Sequence, residues 1–155
     1  ACRSNDLIWG HSGANVVHFS ILQEYIAAML GVEVGIYVQF SDSLHVYNER
    51  EDWRKLSGME RPIHDYYSSG FVKPFPLVSN FPFFDGDLSR FMEDPQGYED
   101  YYYNNIFPDV ALPMWKAWFA HKKDKSGWKY IEDCEAKDWQ IACREWLERR
   151  GDVRT

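Results

Sequence analysis

The sequence is short of cationic charge, of cysteine and of long apolar runs, and each shortage removes a class of function. Seventeen Lys and Arg stand against 24 Asp and Glu, for a formal net charge of −7 and a pI ≈ 5.2. That balance argues against general affinity for nucleic-acid backbones or anionic membranes, so no DNA, no RNA and no membrane is expected as a partner. A few local arginines could still hold one small anionic ligand. Cys2, Cys134 and Cys143 are an odd set without metal-ligand spacing, and the simplest reading is reduced thiols in a cytoplasmic compartment. No apolar run is long enough to span a bilayer. The chain opens on Ala1-Cys2-Arg3-Ser4 with neither initiator Met nor leader, which leads us to expect a processed, cloned or truncated chain. Internal repeats and low-complexity tracts are missing too.

Aromatic residues are abundant instead: 7 Trp, 10 Tyr and 10 Phe. They bury much area each and can also form ligand platforms. With 45% hydrophobic and 26% charged residues over 155 positions, the expectation is one folded domain with a sizeable core. Within it, residues 1–47 and 48–155 differ in character, the second part being aromatic-rich and mostly helical.

The clearest periodic segment follows Asn15, a good helix N-cap. Val16, Val17, Phe19, Ile21, Leu22, Tyr25, Ile26, Met29 and Leu30 make a helix apolar on most of its surface, stopped by Gly31. Such a helix is expected to be buried centrally. From Val34 to Tyr47 the period becomes two, with Val34, Ile36, Val38, Phe40, Leu44 and Val46 on one face. Tyr37, Gln39, Ser41, Ser43, His45 and Tyr47 form the other, a make-up suited to a cleft wall. This is long for one strand, so a break near Ser41 to Ser43 is predicted. A short charged helix over 49–57, irregular Pro-rich chain over 61–84 and a short helix from Asp87 to Glu93 follow. An aromatic loop over 98–105 then leads to two helices, about Asp109 to His121 and Ala136 to Arg149. Helical spacing places Trp115, Trp118, Trp139 and Trp146 in the core.

The sharpest chemistry lies in Arg3-Ser4-Asn5-Asp6, then Gly10, then Asn15, with His45-Val46-Tyr47 downstream. Arg3 offers a planar fork of donors for a phosphate, and Ser4 adds a hydroxyl. Asp6 and Asn15 supply groups that can read the edge of a heterocycle. His45 and Tyr47, at i and i+2 on one strand face, could grip a sugar hydroxyl. Taken singly, each has a duller explanation: a surface ion pair, a helix cap, a strand surface.

In this order and context they resemble the thymidylate synthase and pyrimidine hydroxymethylase family, over residues 2 to about 47, in the C-terminal portion of a divergent, phage-like member. The resemblance implies an α+β, thymidylate synthase-like partial fold, with a central buried helix against a sheet, a helical C-terminal part and a homodimer formed through the sheet. It implies that Arg3 and Ser4 bind the nucleotide phosphate, that the backbone of Asp6 meets the pyrimidine carbonyl, and that His45 and Tyr47 hold the ribose 3′-hydroxyl. Gly10 would lie where the folate ring of 5,10-methylene-tetrahydrofolate stacks. Asn15 would read the base, its amide pointing to deoxyuridylate rather than the cytosine nucleotide. Departures are a Gly10-to-Asn15 loop one residue longer than usual, Ser43 at an aspartate position, and a C-terminal Val153-Arg154-Thr155 unlike the family's closing tail.

The family's chemistry starts with a cysteine thiolate attacking the pyrimidine ring. In the family it lies well upstream of Arg-Ser-x-Asp; Cys2, immediately before Arg3, is misplaced for that role, and Cys134 and Cys143 look structural. Three readings follow. One is part of a transferase making dTMP from dUMP, inactive alone. Another is a pyrimidine nucleotide hydroxymethylase, in which water rather than hydride adds to the exocyclic methylene. The last is a non-catalytic nucleotide-binding or assembly module. A fragment lacking upstream strands is expected to expose apolar surface and to associate.

Overall fold

A computed structural model describes residues 5–58 and 66–152, apart from the side chains of Asp52 and Ser57. The chain divides into two compact units, Ala1–His64 and Asp65–Thr155. Arg3 and Ser4, like Cys2 and the closing residues 153–155, lie outside the described residues.

The first unit opens with β1 (Asn5–Asp6), which enters a π-helical segment, Leu7–Ala14. Asp6 caps that segment, its carboxylate accepting from the backbone N–H of Ile8 at 3.1 Å and of Trp9 at 2.8 Å. Only Gly13 interrupts the helical dihedrals before α1 (Asn15–Leu30) continues the winding. Asn15 is therefore not the cap predicted above. Its backbone is already helical and its N–H bonds the carbonyl of Gly10, so no orphan donor is left for the side chain to satisfy. The predicted stop holds: Gly31 takes a φ of 66° and its N–H returns to the carbonyls of Ala27 and Ala28.

The chain after α1 runs extended and unladdered as far as a bend at Asp42 and Ser43, where the predicted break falls. Among the described residues only β2 (Leu44–His45) pairs, parallel to β1, with Asn5 opposite Leu44 and Asp6 opposite His45. The short charged helix is present as α2 (Glu51–Ser57). This small sheet among helices is compatible with the α+β class.

Burial in this unit departs from expectation. In α1 only Ala27 is buried, while Val17, Phe19, Ile21, Leu22, Ile26, Met29 and Leu30 are exposed. The period-two alternation survives with its apolar side outward: Ile36, Val38 and Phe40 are 90%, 80% and 91% exposed, whereas Tyr37, Gln39 and Ser41 are turned inward. The physical reason is that the described elements of this unit offer no second apolar layer for these faces.

The second unit has a conventional core. Its α3 (Phe81–Glu93) starts well before the predicted Asp87, because Pro82 sits in the first turn, where its missing N–H and fixed φ cost nothing. After a 3₁₀ turn at Glu99–Tyr101, a π-helical segment, Phe107–Ala111, leads into α4 (Leu112–Asp124), and α5 (Lys137–Glu148) closes the unit. Phe107 is buried against Phe84, Tyr102 and Phe91 at centroid distances of 5.5, 5.4 and 5.7 Å. The buried face of α4 carries the small residues Ala117 and Ala120, which lets the turn Gly127–Tyr130 approach closely. A Cβ on Gly127 would lie 2.6 Å from the carbonyl oxygen of Ala117. The tryptophans divide: Trp118 and Trp139 are half exposed, against the core placement expected from spacing.

Two buried carboxylates tie this core together. Asp87 accepts from the backbone N–H groups of Tyr103 and Asn104 at 3.0 and 2.8 Å, from the Asn104 amide at 2.8 Å and from Arg90 at 3.1 Å. Asp152 lies 2.7 Å from His121 Nδ1 and also accepts from the N–H of Gly127 at 3.2 Å. Lys125 Nζ completes the chain at 3.0 Å from His121 Nε2. Every one of these buried polar groups has a partner, as low dielectric requires.

Candidate functional site

Two segments far apart in sequence meet in the first unit. The pairing of β1 with β2 sets Asp6 beside His45 and so joins the Asp6-to-Asn15 stretch to the His45-Val46-Tyr47 stretch. His45 and Tyr47 project to the same side, as their i, i+2 spacing predicts: their rings lie 5.2 Å apart, edge to face. Tyr47 is exposed and His45 partly so.

Asn15 belongs to the same cluster through an unexpected residue. Its Nδ2 donates to Asn5 Oδ1 at 3.3 Å. Asn5 Oδ1 also accepts from Gln39 Nε2 at 3.3 Å, and Asn5 Nδ2 donates to Ser41 Oγ at 2.9 Å. Gly10 is buried against this pair: a Cβ there would lie 2.9 Å from Asn5 Oδ1 and 3.0 Å from Asn15 Nδ2. A glycine is therefore demanded by the close approach of two amides, whatever ring stacks nearby. Trp9, exposed, has the Arg50 guanidinium 5.4 Å from its ring centroid, which brings a cation to the same end of the unit.

Of the residues singled out from sequence, Asp6, Gly10, Asn15, His45 and Tyr47 thus fall in one unit around one strand pair. Asn5, Gln39 and Ser41 were not singled out as site residues. Gln39 and Ser41 were visible only as members of a polar strand face, and Asn5 as the variable position inside Arg-Ser-x-Asp. Chemically the cluster offers a carboxamide held at a fixed angle, an imidazole and a phenol, a set that can read a flat polar edge and hold a hydroxyl.

The second unit has a concavity of a different kind, a cavity of 240 Å³ lined by Met114, Trp118, Trp139, Ala142, Cys143, Trp146 and Leu147. The Arg150 guanidinium stacks 4.1 Å from the Trp146 ring centroid. Neither thiol there is poised for attack. Burial pushes the Cys143 thiol up to about 11, aided by Cys134 and Asp152, and burial likewise raises Cys134. Among the described residues no group of three or more His, Cys, Asp or Glu could hold a metal ion, and no helix is long and apolar enough to cross a membrane.

The chain is similar to two phage proteins. It is 39% identical over 166 aligned positions to a deoxyuridylate hydroxymethyltransferase of Pseudomonas phage M6, covering 96% of this chain and 46% of the relative. It is 38% identical over 109 positions to a deoxyuridylate hydroxymethyltransferase of Bacillus phage SP01, covering 63% of this chain and 27% of the relative. The chain thus spans about half the length of the first relative and less of the second. No family model and no solved structure matches it.

Proposed function

We propose that this chain, a member of the thymidylate synthase and pyrimidine hydroxymethylase family by its similarity to these phage proteins, supplies the pyrimidine-nucleotide cradle of a deoxyuridylate hydroxymethyltransferase. The similarity favours this over the dTMP-forming reading, since both relatives carry the hydroxymethyltransferase name. The observation that carries the proposal is the β1–β2 pairing, which seats the His45 and Tyr47 pair beside the strand that leads to Gly10 and Asn15.

In this reading Arg3 and Ser4 bind the phosphate, and the backbone of Asp6 meets the pyrimidine carbonyl while its carboxylate stays committed to the turn. Asn15 reads the ring edge, and His45 with Tyr47 holds the ribose hydroxyl. A folate one-carbon donor, 5,10-methylene-tetrahydrofolate in the form proposed, would supply the methylene unit that becomes the hydroxymethyl group. The folate ring is assigned to the neighbourhood of Gly10 by the family resemblance alone; Gly10 itself is buried, and its packing against two amides already accounts for the glycine. The attacking thiolate is assigned to a cysteine outside this chain, consistent with the protonated state that burial imposes on Cys143. The chain alone is then inactive but competent to bind. Self-association to a homodimer is proposed through the exposed apolar faces of the first unit.

Titration calorimetry checks this. Deoxyuridylate should bind, more tightly than the cytosine nucleotide, and Arg3→Ala should weaken it roughly tenfold or more through loss of a charge-assisted pair. A folded sample that binds no deoxynucleotide refutes the reading and favours an assembly module.

A further inference from the structure

The inner face of the first unit is polar, and its hub is Asn5. One side-chain oxygen accepts from both Asn15 and Gln39, and one side-chain nitrogen donates to Ser41. We propose that Asn5 is a positioning residue which fixes the end of the Asn15 amide that faces the pyrimidine, and so selects uracil over cytosine. The inference deepens the nucleotide reading above and rests on it.

The physical problem is a degeneracy. A carboxamide has a donor end and an acceptor end of nearly equal shape, so a lone asparagine can turn over and match either base. Uracil presents a ring N–H, which needs an acceptor; cytosine presents a bare ring nitrogen, which needs a donor. Asn15 by itself would serve both.

Asn5 removes the freedom. With Asn15 Nδ2 directed at Asn5 Oδ1, the oxygen end of Asn15 is turned away from Asn5, and that end is the acceptor uracil requires. Turning Asn15 over would set oxygen against oxygen. To avoid this, Asn5 would have to turn as well, and then its nitrogen would meet the donating nitrogen of Gln39. A flip of one amide thus becomes a concerted flip of three. Gly10 packs against the pair without intruding on it: a Cβ there would lie only 2.9 Å from Asn5 Oδ1, 3.1 Å from Asn5 Cα and 3.0 Å from Asn15 Nδ2. Partly buried amides so coupled hold their orientation because each misdirected group would lose its bond in a partly dehydrated site.

The test is the ratio of dissociation constants for deoxyuridylate and deoxycytidylate, measured by calorimetry on the unaltered protein, Asn5→Ala and Asn5→Asp. Circular dichroism would verify that each is folded. Asn5→Ala frees Asn15 to turn, and the preference for deoxyuridylate should fall roughly tenfold. Asn5→Asp is isosteric and accepts only, so Asn15 can still present nothing but its nitrogen to it; the preference should be held or widened. That variant keeps the inference testable should the alanine form not fold. Equal weakening of both nucleotides by Asn5→Ala, or loss of preference in Asn5→Asp, overturns the assignment, because a merely structural role lowers affinity without changing the ratio. An unaltered protein that binds neither nucleotide overturns the nucleotide reading together with this inference. One that prefers deoxyuridylate, with the ratio unmoved by Asn5→Ala, overturns this inference alone.

Discussion

The two units bury opposite things. The second packs Phe84, Phe107, Val110, Leu112, Ile131 and Leu147 inside and closes each buried carboxylate with its own donors. The first turns amides and a hydroxyl inward and leaves Ile36, Val38, Phe40 and most of α1 facing out. Burying a side chain of the size of Leu or Phe is worth about 1.5–3 kcal/mol, so the second unit carries its own driving force and the first leaves much of its own unused. The lesson is that hydrophobic content predicts the need for burial and not where the covering surface comes from. Among the described residues, nothing covers Ile36, Val38 or Phe40.

The comparison can be broken most severely at Asp87. It is fully buried and holds four hydrogen bonds, so Asp87→Ala should cost the second unit about 3 kcal/mol, read from the denaturant midpoint by circular dichroism. An unchanged midpoint would mean that the second unit is no better built than the first. Asp152→Ala removes the partner of His121 and of the Gly127 N–H, and a loss of about 2 kcal/mol is expected in the same assay.

The first unit should lose almost nothing by a comparable change. Ile36→Lys with Phe40→Lys replaces exposed apolar groups, and stability should change by no more than about 0.5 kcal/mol. Binding of a hydrophobic dye should fall, and sedimentation should show less self-association. Dye binding that survives both changes would separate the exposed strand face from the association proposed for it.

The smallest effect sharpens the packing of the second unit. Folded protein at pH 8 should leave Cys143 unalkylated, and denaturant should release it. Its folded value of about 11 exceeds the ordinary 9.0, so the neutral thiol is the form that folding favours. That contribution is complete below pH 9.0 and fades as pH rises through about 11, so a midpoint that improves over this range would contradict the burial.

How legible this molecule was depends on the range of the interaction involved. Helices written in local pattern, α1 with its Gly31 stop and the pair ending in α5, were readable because their signals lie within a few residues of one another. The start of α3 was misread because Pro82 was taken as a breaker rather than as a first-turn residue. The outward turn of Ile36, Val38 and Phe40 left no local trace, since alternation shows that two faces differ without saying which is covered. The site was half visible. Asp6, Gly10, Asn15, His45 and Tyr47 stood out by motif and order. Asn5 did not, because its bond to Ser41 spans a separation of 36 residues that no window reveals. Arg3 and Ser4 lie outside the described residues.

The buried Asp152 also has a consequence for the order in which the protein is made. The bonds that join Asn5 to Asn15, Gln39 and Ser41, and the pairing of Asp6 with His45, link residues that precede Tyr47, so this polar cluster can assemble while most of the second unit is still to come. The second cannot satisfy the His121 ring or the Gly127 N–H until residue 152 has left the ribosome. Its core therefore sets only once Asp152 is in place, whereas the polar cluster of the unit that precedes it in the chain needs nothing so late in the sequence.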